Sequence, residues 1–130
     1  MSSVTRLWAV FSTAIILLAA TGTNALAQER TALQTIDFPP GYETVSVIAE
    51  IEPGNCSGRH THPGAESAYV LEGEVVVKID GKPDLIVKAG QPVLFAPGVV
   101  HNDCNFSGKP FKALAHYIVE KGKPLASPAL

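Results

Sequence analysis

Charge is scarce in this chain. Only 17% of its 130 residues are Asp, Glu, Lys or Arg, ten of them basic and twelve acidic, for a net charge of −2. No run of Lys and Arg gathers anywhere along it, so the electrostatic footprint that a nucleic-acid partner requires is missing. Helical periodicity is missing too. Past residue 27 no window repeats its apolar residues every three or four positions, which argues against a helical domain. No linker or low-complexity segment interrupts the sequence, and its length suffices for one domain but not two. The longest apolar run, Leu7 to Ala20, would make a helix of about 21 Å, short of the roughly 30 Å hydrocarbon core of a bilayer.

That run fits a secretory signal instead. Arg6 precedes it, small and polar residues follow it, and Ala25-Leu26-Ala27 forms a small-residue cleavage site. Residues 1–27 are therefore expected to be removed, leaving Gln28 first; an uncleaved membrane anchor is the rival reading. No cysteine lies near Ala27, so a lipid anchor is not expected. The product would be exported, periplasmic or secreted, free of the membrane and in an oxidising compartment. Its remainder divides into a lead-in (28–43), a folded region (44–119) and a polar, proline-bearing tail (120–130) read as an extended arm.

What is abundant is glycine, eleven residues, and proline, ten, scattered as the turns of an all-β chain require. Between them lie short stretches rich in β-branched residues. Strands are expected at Thr44–Ile51, Arg59–His62, Glu66–Leu71, Glu74–Ile79, Asp84–Val87, Val93–Phe95, Val99–Phe106 and Lys112–Val119. Eight short strands at this spacing point to a sandwich or barrel.

Two of the four histidines stand at alternate positions, His60 and His62. Alternate side chains of a strand share a face, so these imidazoles point the same way, roughly 6.6 Å apart along the chain. Pro63-Gly64 then turns the chain, and Glu66 can return on the neighbouring strand. His101 is far off in sequence, and a jelly-roll-like closure would bring it beside the pair. Three neutral imidazoles and a carboxylate suit one divalent transition metal, Fe, Mn, Ni, Cu, Co or Zn, and suit Ca or Mg poorly. Taken alone, a His-x-His pair is more often surface or satisfied core.

The spacing around the pair is more specific. Gly54, five residues, His60, one residue, His62, three residues, Glu66, six residues and Gly73 resembles the first motif of the cupin superfamily throughout. "GQPVLFAPGVVHNDCN" resembles the second, with Gly98, His101 and Asn105 in register. Two departures are visible: Pro97 and Gly98 are adjacent where the family has Pro-x-Gly, and Gln91 stands where many relatives carry Asp. The resemblance runs from about Gly41 to Val119. It implies an antiparallel jelly-roll β-barrel, or double-stranded β-helix, with one ion held by His60, His62, Glu66 and His101 and one or two coordination positions left for water or substrate. A purely structural ion is the plainer alternative, although structural zinc prefers a closed, cysteine-rich shell.

The resemblance also makes the strands of His60 and His101 antiparallel neighbours. The residue numbers of that pair and of Cys56 and Cys104 add to nearly the same total, which brings the cysteines together and suggests a disulfide. Cys104 is an odd step from His101, however, and would face outward unless a bulge intervenes. Two unpaired thiols, or a cysteine ligand to the ion, are the alternatives. His116 and Arg59 read as surface residues, Tyr69 as packing, Phe95, Val93 and Val99 as core or as the wall of an apolar pocket, and Asn105 as a turn brace.

The function expected from the resemblance is that of an exported, metal-dependent, dioxygenase-like enzyme acting on a small enol or carbonyl compound, similar to quercetin dioxygenase-like cupins. Glu66 could serve there as a base. Isomerase, decarboxylase and lyase chemistry occur on the same barrel, and a non-enzymatic module holding a metal or small ligand is the reading from another class. Small cupins commonly pair, so a homodimer is expected on the same ground.

Overall fold

The computed structural model describes residues 27–130; residues 1–26, and with them the expected signal segment up to its last residue, lie outside the described range. Among the described residues there is no helix. Ten strands follow one another: β1 (Glu29–Ile36), β2 (Tyr42–Ile51), β3 (His60–Thr61), β4 (Ala65–Glu72), β5 (Glu74–Ile79), β6 (Leu85–Lys88), β7 (Pro92–Phe95), β8 (His101–Cys104), β9 (Phe111–Glu120) and β10 (Ser127–Pro128). Eight of them overlap the eight expected strands. The other two correct the reading of the ends. The lead-in contributes β1, paired with β2 from Glu29 to Ile36. The tail is no free arm, because β10 pairs with β3.

The strands form two five-stranded antiparallel sheets, ordered β1-β2-β9-β4-β7 and β10-β3-β8-β5-β6. The core lies between them. In β9, Phe111, Ala113, Ala115, Tyr117 and Val119 are buried and alternate with outward Lys112, Leu114, His116, Ile118 and Glu120. Val75 and Val77 of β5 and Val87 of β6 meet this face from the other sheet. Burying each such Val or Phe contributes about 1.5–3 kcal/mol.

The same alternation corrects Tyr69. It is an odd step from buried Glu66, so it falls on the outer face of β4 and is 49% exposed instead of packed. Gly64 is obligatory for the turn between His62 and Glu66: a Cβ there would lie 1.7 Å from the carbonyl oxygen of Ile118. Only glycine lets the start of β4 approach β9 this closely.

Cys56 and Cys104 are joined in a disulfide across 48 residues of chain. His60 pairs with His101 and Cys56 with Cys104, so four residues on one side span three on the other. Gly58, at φ +83°, absorbs the extra residue. β8 stays in regular register with β5 from His101 to Cys104, so Cys104 keeps the face opposite to His101, and the irregularity is what turns Cys56 onto that face to meet it. Closing a loop of that length contributes on the order of 4 kcal/mol in the chain-entropy account.

Asn105 closes the adjoining corner. Its amide donates to the carbonyls of Ile51 at 2.8 Å and Lys109 at 2.7 Å, and its Oδ1 accepts from Ser107.

Candidate metal centre

β3, the turn after it, β4 and β8 bring His60, His62, Glu66 and His101 together between the sheets, each at most 5% exposed. The ligand nitrogens of the three histidines lie within 4.8 Å of one another. Each ring has its Nδ1 against a backbone carbonyl: His60 with Gly58 at 2.7 Å, His62 with Leu125 at 2.7 Å and His101 with Val99 at 3.1 Å. A carbonyl accepts only, so Nδ1 carries the proton in all three and the Nε2 lone pairs remain for another partner. Phe95 stacks on the His101 ring at 3.8 Å between centroids and fixes its plane. The second-motif loop is tied to the first by the Gly98 amide, which donates to the His62 carbonyl at 2.9 Å. Adjacent Pro97-Gly98 therefore still delivers His101 to the site.

Glu66 completes the cluster. Its Oε1 accepts from the Tyr117 hydroxyl at 2.8 Å. Its Oε2 lies 2.8 Å from His62 Nε2 and 3.7 Å from His101 Nε2. Even so, Oε2 and both of these nitrogens are buried with no hydrogen-bond partner of acceptable geometry. Leaving a buried polar atom unpaired costs about 1–3 kcal/mol, and three such atoms converge here. Protonating His60 or His101 would be a poor remedy. Burial pushes His60 down to about 4, and the positive charges nearby add to this against the Gly58 carbonyl. Burial likewise lowers His101. Burial alone would raise Glu66, but its contacts with His62 and Tyr117 outweigh it and hold the carboxyl below its ordinary range. Imidazole nitrogens and a carboxylate oxygen that converge without partners fit a divalent transition cation, and the histidine cluster could hold one.

Four further groups shape the site without any motif to announce them. Asp103 stands two residues after His101, so strand alternation alone puts it on the same face. It is buried, its Oδ2 is 4.0 Å from His101 Nε2 and its Oδ1 has no partner. Burial, reinforced by the Glu66 charge, pushes its carboxyl up to about 7. Gln28 is buried just before β1. With Glu66, Asp103 and Phe95 it lines a cavity of about 20 Å³, the volume of a single water. Arg30 of β1 donates from Nη2 to His60 Nε2 at 3.2 Å. The Leu125 carbonyl, from the tail, sets the orientation of His62.

The other candidates lie outside. His116 is on the outer face, bonded to Ser46 Oγ at 2.8 Å, and Arg59 pairs with Asp80 on the surface. Val93 faces the small cavity with Phe95, whereas Val99 lines a separate surface pocket with Ile79, Leu94 and Pro97.

A family model described as a cupin domain matches residues 47–117. No curated protein matches the sequence. Solved structures are similar in fold. A conserved protein with a double-stranded β-helix domain from Klebsiella pneumoniae superposes with a TM-score of 0.63 at 21% identity, covering 84% of this chain and 89% of its own. The DMSP lyase DddQ from Ruegeria pomeroyi gives 0.59 at 21% identity over 66% of this chain, which spans 43% of the lyase's length. The polyketide cyclase RemF from Streptomyces resistomycificus gives 0.58 at 22% identity, covering 67% of this chain and 61% of its own.

Proposed function

Because the chain belongs to the cupin domain family, we propose that it is a small exported metal-dependent enzyme, dioxygenase-like, acting on a small molecule that carries an enol or carbonyl group. The observation that carries this reading is the convergence of unpartnered Nε2 atoms and Glu66 Oε2 in one buried space. His60, His62, Glu66 and His101 would hold the ion, which when bound supplies Lewis acidity and, for every candidate metal but zinc, redox capacity. The chain's own residues do the rest. Glu66 would be the base: Tyr117 holds Oε1 at 2.8 Å, so Oε2, the oxygen that would hold the ion, is also the one that would take a proton from the substrate on leaving it. Val99, Gly58 and Leu125 lock the three rings through their Nδ1 atoms, and Phe95 keeps the His101 ring from turning.

The solved lyase and cyclase of similar fold support enzymatic use of this scaffold, although fold alone does not choose the reaction. Isomerase, decarboxylase or lyase chemistry would use the same Oε2 next to a carbonyl, and product analysis with and without dioxygen decides between them. The small cavity beside Glu66, about 20 Å³, favours a second reading, a non-enzymatic module that holds a metal or small ligand. Export is supported by the Cys56–Cys104 bridge, since such bonds persist in oxidising compartments. Pairing of two copies is supported by exposed Tyr69, Leu94 and Ile118 on one sheet's outer face.

Elemental analysis of protein purified without chelators tests the core of the proposal. One transition ion per chain is expected, lost in His62→Ala while the far-UV circular dichroism is retained. If protein stripped with EDTA takes up none of Mn, Fe, Co, Ni, Cu or Zn, the reading fails. Turnover of enolic and diketone substrates that disappears with the metal and returns with it separates enzyme from binding module.

A further inference from the structure

Seven of the eight residues of β1 are exposed; Arg30 is not. It pairs across the sheet with Ala49, whose buried methyl leaves room for a long side chain to turn inward. There the guanidinium spends one donor on His60 Nε2 at 3.2 Å, and its Nε is buried without a partner. Its charge acts on His60, His101, Asp103 and Tyr117 alike, which puts it at the cluster and not on the outer surface. Among the described residues no carboxylate forms an ion pair with it, although Arg59 and five lysines all have one. A partly buried guanidinium whose acceptors are the His60 lone pair and the neighbouring Tyr117 hydroxyl, with no anionic partner, is costly to maintain.

An ion bound to His60 would take that lone pair and leave the guanidinium with the Tyr117 hydroxyl and no anionic acceptor. We infer that Arg30 is the anion-recognising residue of this site and selects small molecules that carry a carboxylate. A carboxylate is planar and offers two oxygens to the guanidinium fork, and the match is bidentate in a way that an amide or a hydroxyl cannot reproduce. Arg30 is a specificity-determining residue here, since a guanidinium offers hydrogen-bond donors only. The inference rests on the metal-site reading above and narrows its substrate class to carboxylates with a second oxygen-bearing group.

The test is calorimetric titration of the purified, cobalt-loaded protein with malonate and with uncharged malonamide, for wild type, Arg30→Gln and Arg30→Lys, with cobalt content measured in each. Wild type should prefer malonate. Arg30→Gln should weaken malonate by roughly 10–100-fold, the loss expected for removed charge-assisted hydrogen bonds, and leave malonamide and cobalt content unchanged. Arg30→Lys should fall between, because it keeps the charge and loses the fork; it also tests the inference should the glutamine variant not fold. Equal malonate binding in all three proteins overturns the inference, and so does a parallel loss of both probes. If no variant takes up cobalt, the metal-site reading fails by itself. The preference for malonate over malonamide in EDTA, kept by wild type and lost in Arg30→Gln, would then still uphold Arg30, and its absence would overturn it.

Discussion

Asp103→Asn should stabilise the metal-free protein, and by an amount that grows with pH. Asp103 is 8% exposed with one oxygen unpartnered, and burial together with Glu66 raises its pKa from 3.8 to about 7 while Arg30 pulls it partly back. An acid whose pKa is raised by folding keeps its proton in the native state through a window where the unfolded chain has released it. Its contribution is intact below pH 3.8 and is lost as pH climbs to about 7. A gap of about three pH units at 1.36 kcal/mol each amounts to roughly 4 kcal/mol by pH 7 and above. Asparagine has the shape of the neutral acid and no proton to lose, so it escapes that penalty. His60 and His101, whose pKa values are lowered, bend the pH profile the other way, but they are present in both proteins and drop out of the difference.

Urea unfolding in EDTA, followed by far-UV circular dichroism at pH 4, 5.5 and 7.5, measures this difference. Near pH 4 the two proteins should be about equally stable. At pH 7.5 the variant should lead by several kcal/mol, on the order of 10–20 °C in melting temperature for a domain of this size. With a divalent ion bound the lead should shrink, because a cation close to Asp103 favours its carboxylate. A stability difference that stays constant with pH, or an Asn variant that is weaker at pH 7.5, would show that Asp103 is not held neutral and would refute the reasoning.

Tyr117→Phe removes the donor to Glu66 Oε1 and should cost about 1.5–3 kcal/mol at neutral pH, a loss that denaturant titration would show narrowing as Glu66 becomes protonated in acid. Gly64→Ala sets a methyl 1.7 Å from the Ile118 carbonyl oxygen, so soluble protein with wild-type circular dichroism would contradict the packing described for that turn. Removing residues 124–130 deletes β10 and the Leu125 carbonyl that orients His62; metal affinity should drop about 10–100-fold with the main sheets retained, and competition with a chromogenic chelator would measure it.

How much of this site could be read from the chain depends on the distance over which each residue is placed. His60 and His62 were legible because strand alternation is local, and Glu66 because a Pro-Gly turn sits between it and the pair. Asp103 was just as legible, since the rule that aligns His60 with His62 aligns Asp103 with His101. His101 needed the closure of the fold, which spacing alone does not encode and which the family resemblance supplied. The cysteines show where counting fails: a single extra residue near Gly58 inverts the parity of Cys56 relative to His60 and brings it to the face that Cys104 takes. Arg30 and Leu125 were out of reach for a different reason. Each arrives through pairing of a chain end, β1 with the next strand β2 and β10 with distant β3, and nothing in "ERTALQTI" or "EKGKPLASPAL" marks one residue as turned inward. The ligands of the proposed ion thus come from the motif-bearing middle of the chain. Two groups beside them, Arg30 and Leu125, come from its unpatterned ends, so two chains with the same histidine motif can differ in what they bind through residues that no motif includes.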